Sequence, residues 1–130
     1  GMSSLLLVLL MLVLGSLTLQ GISIQHQALL SQAALEKTAI SQSANAESLL
    51  EWGRMLSWAR QPAVQCQTNP AFEGRVCLRL FVDSGGLLIA RSGEQTRWQT
   101  GTLQNAGLQF DHNGWSDFCP RKEAAQCLMP

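Results

Sequence analysis

The chain begins with an unbroken apolar run. Between Met2 and Leu19 the only polar side chains are serine and threonine, and the first charged residue is Glu36. As a helix, the 18 residues of this run are about 27 Å long, close to the ~30 Å hydrocarbon core of a bilayer. The pattern therefore predicts a transmembrane helical segment within residues 1–24.

The helix is predicted to continue beyond this run, with a different pattern. Apolar residues recur at helical spacing, and polar residues occupy the opposite face, which is the pattern of an amphipathic helix. The apolar positions are Leu29, Ala33, Ile40, Leu49, Trp52, Leu56 and Ala59, and the polar ones are Gln25, Gln32, Glu36, Glu47, Glu51 and Arg54. Pro62 ends the pattern, so the amphipathic half is predicted over residues 25–61. Gly53 is expected to weaken it by about 1 kcal/mol relative to alanine.

After Pro62 the sequence predicts a small antiparallel sheet over residues 62–130. In "RVCLRLFV", Val76, Leu78, Leu80 and Val82 alternate with Cys77, Arg79 and Phe81. "DSGG" is a turn signal, "LLIAR" is the expected return strand, and "TRWQT" and "GLQF" are shorter strands. The amphipathic helix is expected to cover the inner face of this sheet, with Trp52 and Trp58 in the core. The predicted fold class is α+β, with one long N-terminal helix packed on the sheet.

Four cysteines lie in this C-terminal part, at Cys66, Cys77, Cys119 and Cys127. A domain of about 70 residues buries little apolar surface and usually needs covalent staples. Structural zinc sites use cysteines two to four residues apart, whereas the gaps here are 10, 41 and 7 residues. Two disulfides are therefore favoured over zinc or free thiols. Three connectivities remain open, and the local pairing Cys66–Cys77 with Cys119–Cys127 is preferred because it closes two short loops.

Charge and chemistry-bearing residues favour a protein that is not an enzyme. Nine basic and nine acidic residues give zero net charge, which gives no reason to expect nucleic-acid binding. The chain has two histidines, no tyrosine, and none of the common catalytic motifs. His112 near Cys119 is the one candidate for thiol catalysis, and a disulfide explains Cys119 better. No catalytic residue is predicted.

The segment "DHNGWSD" has two interpretations. Asp111, Asn113 and Asp117 offer oxygen ligands around Gly114, which suits calcium. The segment lacks the full alternating acidic set and the bidentate glutamate of a calcium loop. A turn stabilised by these side chains and leading to Trp115 explains the residues equally well. No other cofactor is expected.

The beginning of the chain is a poor match to a secretory signal, because no basic residue precedes the apolar run. Instead, "GMSSLLLVLLMLVLG" resembles the processing junction of type IV pilins and pseudopilins. Together with "LLEWGRMLSWARQPAVQC" and "GWSDFCP", the chain looks like the YgdB-type minor pilins of enterobacteria. The resemblance implies that the prepilin peptidase removes a short basic leader ending at Gly1 and leaves Met2 as a methylated amino terminus. It also implies a single-pass inner-membrane protein with a periplasmic C-terminal domain.

Leu6 departs from the usual pilin pattern. Most pilins have glutamate at the fifth mature position, where it pairs with the amino terminus of a neighbouring subunit, and Leu6 occupies that place here. The resemblance implies a minor pilin at the pilus tip that primes assembly. Its partners would be other minor pilins and the major pilin, through their N-terminal helices, and the inner-membrane assembly platform. The alternatives are a tip pseudopilin of a type II secretion system and a static bitopic periplasmic binding or sensor subunit.

Overall fold

The computed structural model describes residues 2–130, including the side chains of residues 2–16 and 28–130. The helix α1 is followed by five strands and a short 3₁₀ helix. The bounds are α1 (Met2–Met55), β1 (Gln65–Gln67), β2 (Arg75–Leu80), β3 (Gly85–Ser92), β4 (Gln95–Gln104), β5 (Gly107–Ser116) and the 3₁₀ helix (Ala124–Cys127). The chain divides into a first unit that ends at Thr38 and a second unit, Ala39–Pro130. The predicted α+β class with an antiparallel sheet is confirmed.

The sheet is a meander in which each strand pairs with its neighbours in sequence, in the order β1-β2-β3-β4-β5, with every pair antiparallel. The predicted turn between β2 and β3 is present. Its Asp83 carboxylate accepts a hydrogen bond of 2.9 Å from the Gly85 N–H, and Ser84 takes the left-handed conformation, with φ of 66°. Short polar side chains that bond the backbone two residues on are typical of such turns.

One face of the sheet packs against the last turns of α1. Leu49 and Leu50 meet a cluster of fully buried sheet residues, with Trp52 and Trp58 partly buried beside them, so the predicted core role of both tryptophans is confirmed. The sheet residues are Val76, Leu78, Leu88 and Ala90. Gly53 allows the close approach, because a Cβ built there would lie 2.8 Å from Val76 Cγ2. It is a packing requirement as well as a site of low helix propensity.

The helix ends at Met55 and does not continue to residue 61 as predicted. The carbonyl of Gly53 accepts hydrogen bonds from the Leu56 N–H at 3.3 Å and from Trp58 Nε1 at 2.7 Å. The side chain of Gln65 then bonds both the N–H and the carbonyl of Ala59, at 3.0 and 2.6 Å. These bonds replace the helical partners of the segment, so it leaves the helix before Pro62 is reached.

The opposite face of the sheet, here called the back face, has a second core that the sequence analysis did not predict. Leu87, Ile89 and Cys127 are buried there, and the C-terminal segment covers them with Cys119 and Met129. Trp98 Nε1 donates a hydrogen bond of 3.2 Å to the carbonyl of Cys127. The sheet is therefore packed on both faces, by α1 on one and by the C-terminal segment on the other.

Candidate functional site

The N-terminal part of α1 presents an exposed apolar surface. From Met2 to Leu14 its large apolar side chains range from 55% exposed at Val8 to 88% at Met2. Among the residues whose side chains the structure describes, no helix has a stretch long and apolar enough to cross a membrane. The predicted segment 1–24 lies partly outside those residues, as does Gly1. Leu6, the position that lacks glutamate, is 72% exposed.

The predicted amphipathic face of α1 is buried over only part of its length. In the first unit, Leu29, Leu30 and Leu35 are between 59% and 72% exposed. In the second unit Ile40 is also exposed, and full burial begins at Ala46. Leu29 and Ile40, which the pattern predicts on one face with Leu49, are therefore exposed in the single chain, whereas Leu49 is buried.

Both disulfides are present with the preferred local pairing. Cys66 and Cys77 face each other across β1 and β2, with Cα atoms 4.0 Å apart. Cys119 and Cys127 close a loop of the C-terminal segment, with Cα atoms 5.8 Å apart. The first disulfide joins a three-residue edge strand to the sheet, and the second holds the cover of the back face.

The first six residues of the segment "DHNGWSD", 111–116, belong to β5 and do not form the predicted turn. Gln99 pairs with Trp115 and Gly101 pairs with Phe110, so the four residues 111–114 lie opposite Thr100 alone. This bulge is held by Gln99 Nε2, which donates to the carbonyl of Asp111 at 2.9 Å. Gly114 is buried against Thr100, where a larger residue would not fit. Residues that are typical of turns also occur where a strand bulges. The sequence pattern alone did not distinguish this bulge from a turn.

The bulge also bears on the calcium candidate. The Asp111 carboxylate accepts a hydrogen bond of 2.7 Å from the Thr100 hydroxyl, while Asn113 and Asp117 are exposed. Within the described part of the chain, no three histidine, cysteine or acidic side chains group closely enough to hold a metal ion. The oxygen of Asp111 serves instead to fix the shape of the bulge.

Val82 is a further correction. The alternation predicts Val82 on the same face as Val76 and Leu78, but β2 ends at Leu80 and Val82 is fully exposed in the turn. The Phe81 N–H bonds the carbonyl of Gly85 at 2.8 Å, which closes the turn one residue before Val82. Alternation predicts which face of the sheet a residue occupies only as far as the strand extends.

The β2–β3 turn is tied to the C-terminal segment by Arg121. Its guanidinium lies 4.0 Å from the centre of the Phe81 ring and 3.5 Å from the Asp83 carboxylate. The hydrogen bond from Gly85, assisted by the Arg121 charge, holds the pKa of Asp83 below its ordinary value. These contacts were not predicted, because the sequence places Arg121 far from the turn.

A groove of about 480 Å³ lies between the end of α1 and the edge strand β5. Glu47, Glu51 and Arg54 line it from the helix, and Trp115, which is 48% exposed, lines it from the strand. Both glutamates already have arginine neighbours. Arg54 lies 3.0 Å from Glu51, and Arg97 lies 3.9 Å from Glu47. The charges at the groove are therefore close to balanced.

The fold defines a small α+β domain in which a disulfide-stapled antiparallel meander packs on the end of an N-terminal helix. The model of a family described as "Protein of unknown function (DUF2509)" matches residues 10–127. The chain therefore belongs to this family. No curated protein and no solved structure matches it.

Proposed function

We propose that the protein is a minor pilin, which joins a tip complex and primes the assembly of a type IV pilus. The observation that carries the proposal is the exposed apolar surface from Met2 to Leu14, where no large apolar side chain is less than 55% exposed. A helix that is apolar all round needs lipid or other helices as its surroundings. A pilin helix uses both in turn, first in the membrane and then in the filament.

The architecture of the rest of the chain is consistent with this role. The second unit is small, is stapled by two disulfides, and packs its sheet on the last turns of the same helix that carries the apolar segment. The resemblance of "GMSS" to a pilin processing junction adds the expectation that the chain is cut between Gly1 and Met2. A static membrane anchor would not need such a junction.

Leu6 favours the tip over the shaft. A shaft subunit needs a carboxylate to pair with the amino terminus of the subunit ahead, since a charged amine that leaves water is costly unless it is paired. A tip subunit has no subunit ahead of it. Its own amine at Met2 can still be received by the glutamate of the subunit behind. The absence of a carboxylate at Leu6 therefore costs a tip subunit nothing.

The test is to count fluorescently labelled copies of the protein in individual pili. One or a few copies at one end are expected, and deletion of the gene should reduce the number of pili without changing the shaft. Regular incorporation along the filament would overturn the tip assignment. A protein that stays in the membrane fraction and never enters sheared pili would instead favour the static bitopic subunit.

The Leu6→Glu variant sharpens this test, with Leu6→Met as its matched control. Leu6→Met keeps an apolar side chain of similar size and should assemble normally. Leu6→Glu places an unpaired carboxylate in lipid, so pilus number should fall or stay unchanged. An increase in pilus number, or copies along the shaft, would contradict the argument from Leu6.

A further inference from the structure

An asparagine is followed directly by a glycine at one place in the sequence, Asn113–Gly114. The pair lies in the β5 bulge, within the four residues 111–114 that stand opposite Thr100. Asn113 is exposed, and its side chain has no hydrogen bond to any residue that the structure describes. The bulge therefore presents an unbonded side-chain amide to water, next to a residue that has no Cβ.

The two ends of the bulge are held by β4, whereas its middle residues, His112 and Asn113, are exposed. At the first end, the Asp111 carboxylate accepts a hydrogen bond of 2.7 Å from the Thr100 hydroxyl. At the other end Gly114 is buried, and a Cβ built there would lie 2.9 Å from the carbonyl oxygen of Thr100. Packing against β4 thus requires a glycine after Asn113, and the Asn113 side chain is left to turn between two fixed ends.

An asparagine beside a glycine can lose its side-chain ammonia without an enzyme. The backbone nitrogen of the glycine attacks the side-chain carbonyl carbon, a C–N bond forms, and ammonia leaves with the proton of the glycine N–H. Water then opens the succinimide ring at either carbonyl and leaves aspartate or isoaspartate, with no oxidant or reductant involved. Glycine favours ring closure because it has no Cβ to obstruct the turned backbone.

We propose that Asn113 is a site of deamidation in the folded protein, with water as the co-substrate. Ring closure turns the peptide between Asn113 and Gly114 out of the extended conformation, which in a regular strand would break paired backbone bonds. Residues 111–114 lie outside the regular register, and β5 is an edge strand with β4 as its one neighbour. Opening such a segment costs less free energy than opening a central strand.

The other three asparagines of the sequence are poorer sites. Asn45 lies within α1, where the hydrogen-bonded backbone resists the turn. Asn69 precedes Pro70, whose nitrogen has no proton to lose, and its side-chain oxygen already accepts a hydrogen bond of 3.0 Å from the Ala71 N–H. Asn105 is exposed between β4 and β5 but is followed by an alanine. Asn105 is therefore the internal reference for an exposed asparagine without a glycine after it.

Deamidation changes the charge of the bulge and, in one product, its length. Either product adds a negative charge to a segment that already carries Asp111 and Asp117. Isoaspartate also routes the main chain through its side-chain carbon, which adds one atom to the backbone between the two fixed ends. The inference does not depend on the pilus role, since it concerns only the second unit.

The test incubates the full chain in detergent micelles at neutral pH, in water labelled with oxygen-18, and maps its peptides by mass spectrometry after digestion in acid. Labelled aspartate and isoaspartate are expected at position 113, formed at least several-fold faster than at Asn105. The free peptide acetyl-Asp-His-Asn-Gly-Trp-Ser-amide is incubated in parallel. Conversion of Asn113 no faster than that of Asn105, or an unmodified Asn113 after the peptide has fully converted, would overturn the proposal.

Asn113→Gln is the matched variant, because it keeps an amide but would have to close a larger ring. It should take up no label at position 113 and should melt at the same temperature as the wild type, since the Asn113 side chain is unbonded. Asn105→Gln is the control and should leave the conversion of Asn113 unchanged. Label at position 113 in Asn113→Gln at the wild-type rate would contradict the mechanism. A lowered melting temperature would show that the side chain holds the bulge, and would contradict the free amide on which the proposal rests.

Discussion

Replacing Gly53 by alanine is expected to destabilise the second unit, although the same change stabilises most helices. In an exposed helix, alanine is favoured over glycine by about 1 kcal/mol. Gly53, however, is buried where α1 crosses the sheet, and an added Cβ would lie 2.8 Å from Val76 Cγ2 and 3.0 Å from Leu88 Cδ2. Carbon atoms prefer about 3.5–4.0 Å, so the helix and the sheet would have to separate.

The size of the effect follows from how little the neighbours can move. Val76 and Leu88 are both 0% exposed, and overpacking such a core costs about 1–3 kcal/mol. Taking the upper half of that range and subtracting the propensity gain leaves a net loss of about 1–2 kcal/mol. For a unit of this size, the loss corresponds to a fall in melting temperature of about 5–10 °C.

Thermal unfolding of the full chain, followed by tryptophan fluorescence, measures this change, because Trp52 and Trp58 pack beside the affected core. Gly15→Ala is the matched control in the same helix, since a Cβ there meets nothing within 4 Å. It should leave the melting of the second unit unchanged. The double variant Gly53→Ala/Val76→Ala should lose about 1 kcal/mol less unfolding free energy than the losses of the two single variants added together. A Gly53→Ala protein as stable as the wild type would refute the close-approach argument.

Three other predictions concern the disulfides, Asp83 and Gly1. Replacing Cys119 and Cys127 by serine should cost about 2.5 kcal/mol in urea unfolding, with a similar cost for the Cys66–Cys77 pair, and thiol titration of the native protein should find no free cysteine. A reactive thiol in the native protein would contradict this. Because its folded pKa is depressed, Asp83 adds stability that is present above about pH 4 and is lost as the pH falls through the folded value. Asp83→Asn should therefore lose stability at pH 7 and approach the wild type at low pH, and an equal difference at both pH values would argue against the assignment. In the protein expressed from its natural gene, a bulky residue in place of Gly1 should block the cut before Met2, as judged by mass spectrometry, and normal processing would exclude that junction.

Local patterns in the sequence were sufficient to predict the central hairpin. Alternation in β2, the turn residues around Asp83, and the apolar return strand agree with one another, and the structure has all three. The disulfide pairing could also be predicted from the sequence, because the preferred pairing joins the cysteines that are closest in sequence. In each case the deciding contacts are between residues close in sequence.

The missed features depend on contacts that the local sequence pattern does not show. Gln65 ends the helix by bonding Ala59, and the three residues of β1 are too few to show alternation. The "DHNG" bulge is fixed by Gln99 and Thr100 on another strand. A sequence shows which side chains are available for such contacts, but the register determines which of them meet.

The meander order of the sheet also has a consequence for folding kinetics. Each strand pairs with the next strand in sequence, so every pairing closes only a short loop, and proteins dominated by such local contacts fold quickly for their size. The hairpins can form one after another in the order of the sequence, starting from the end of α1. The segment that covers Leu87 and Ile89 comes last. Until it is in place and the Cys119–Cys127 bond has closed, the back face is open, so oxidation of this bond is expected to follow sheet formation and to mark the final step of maturation.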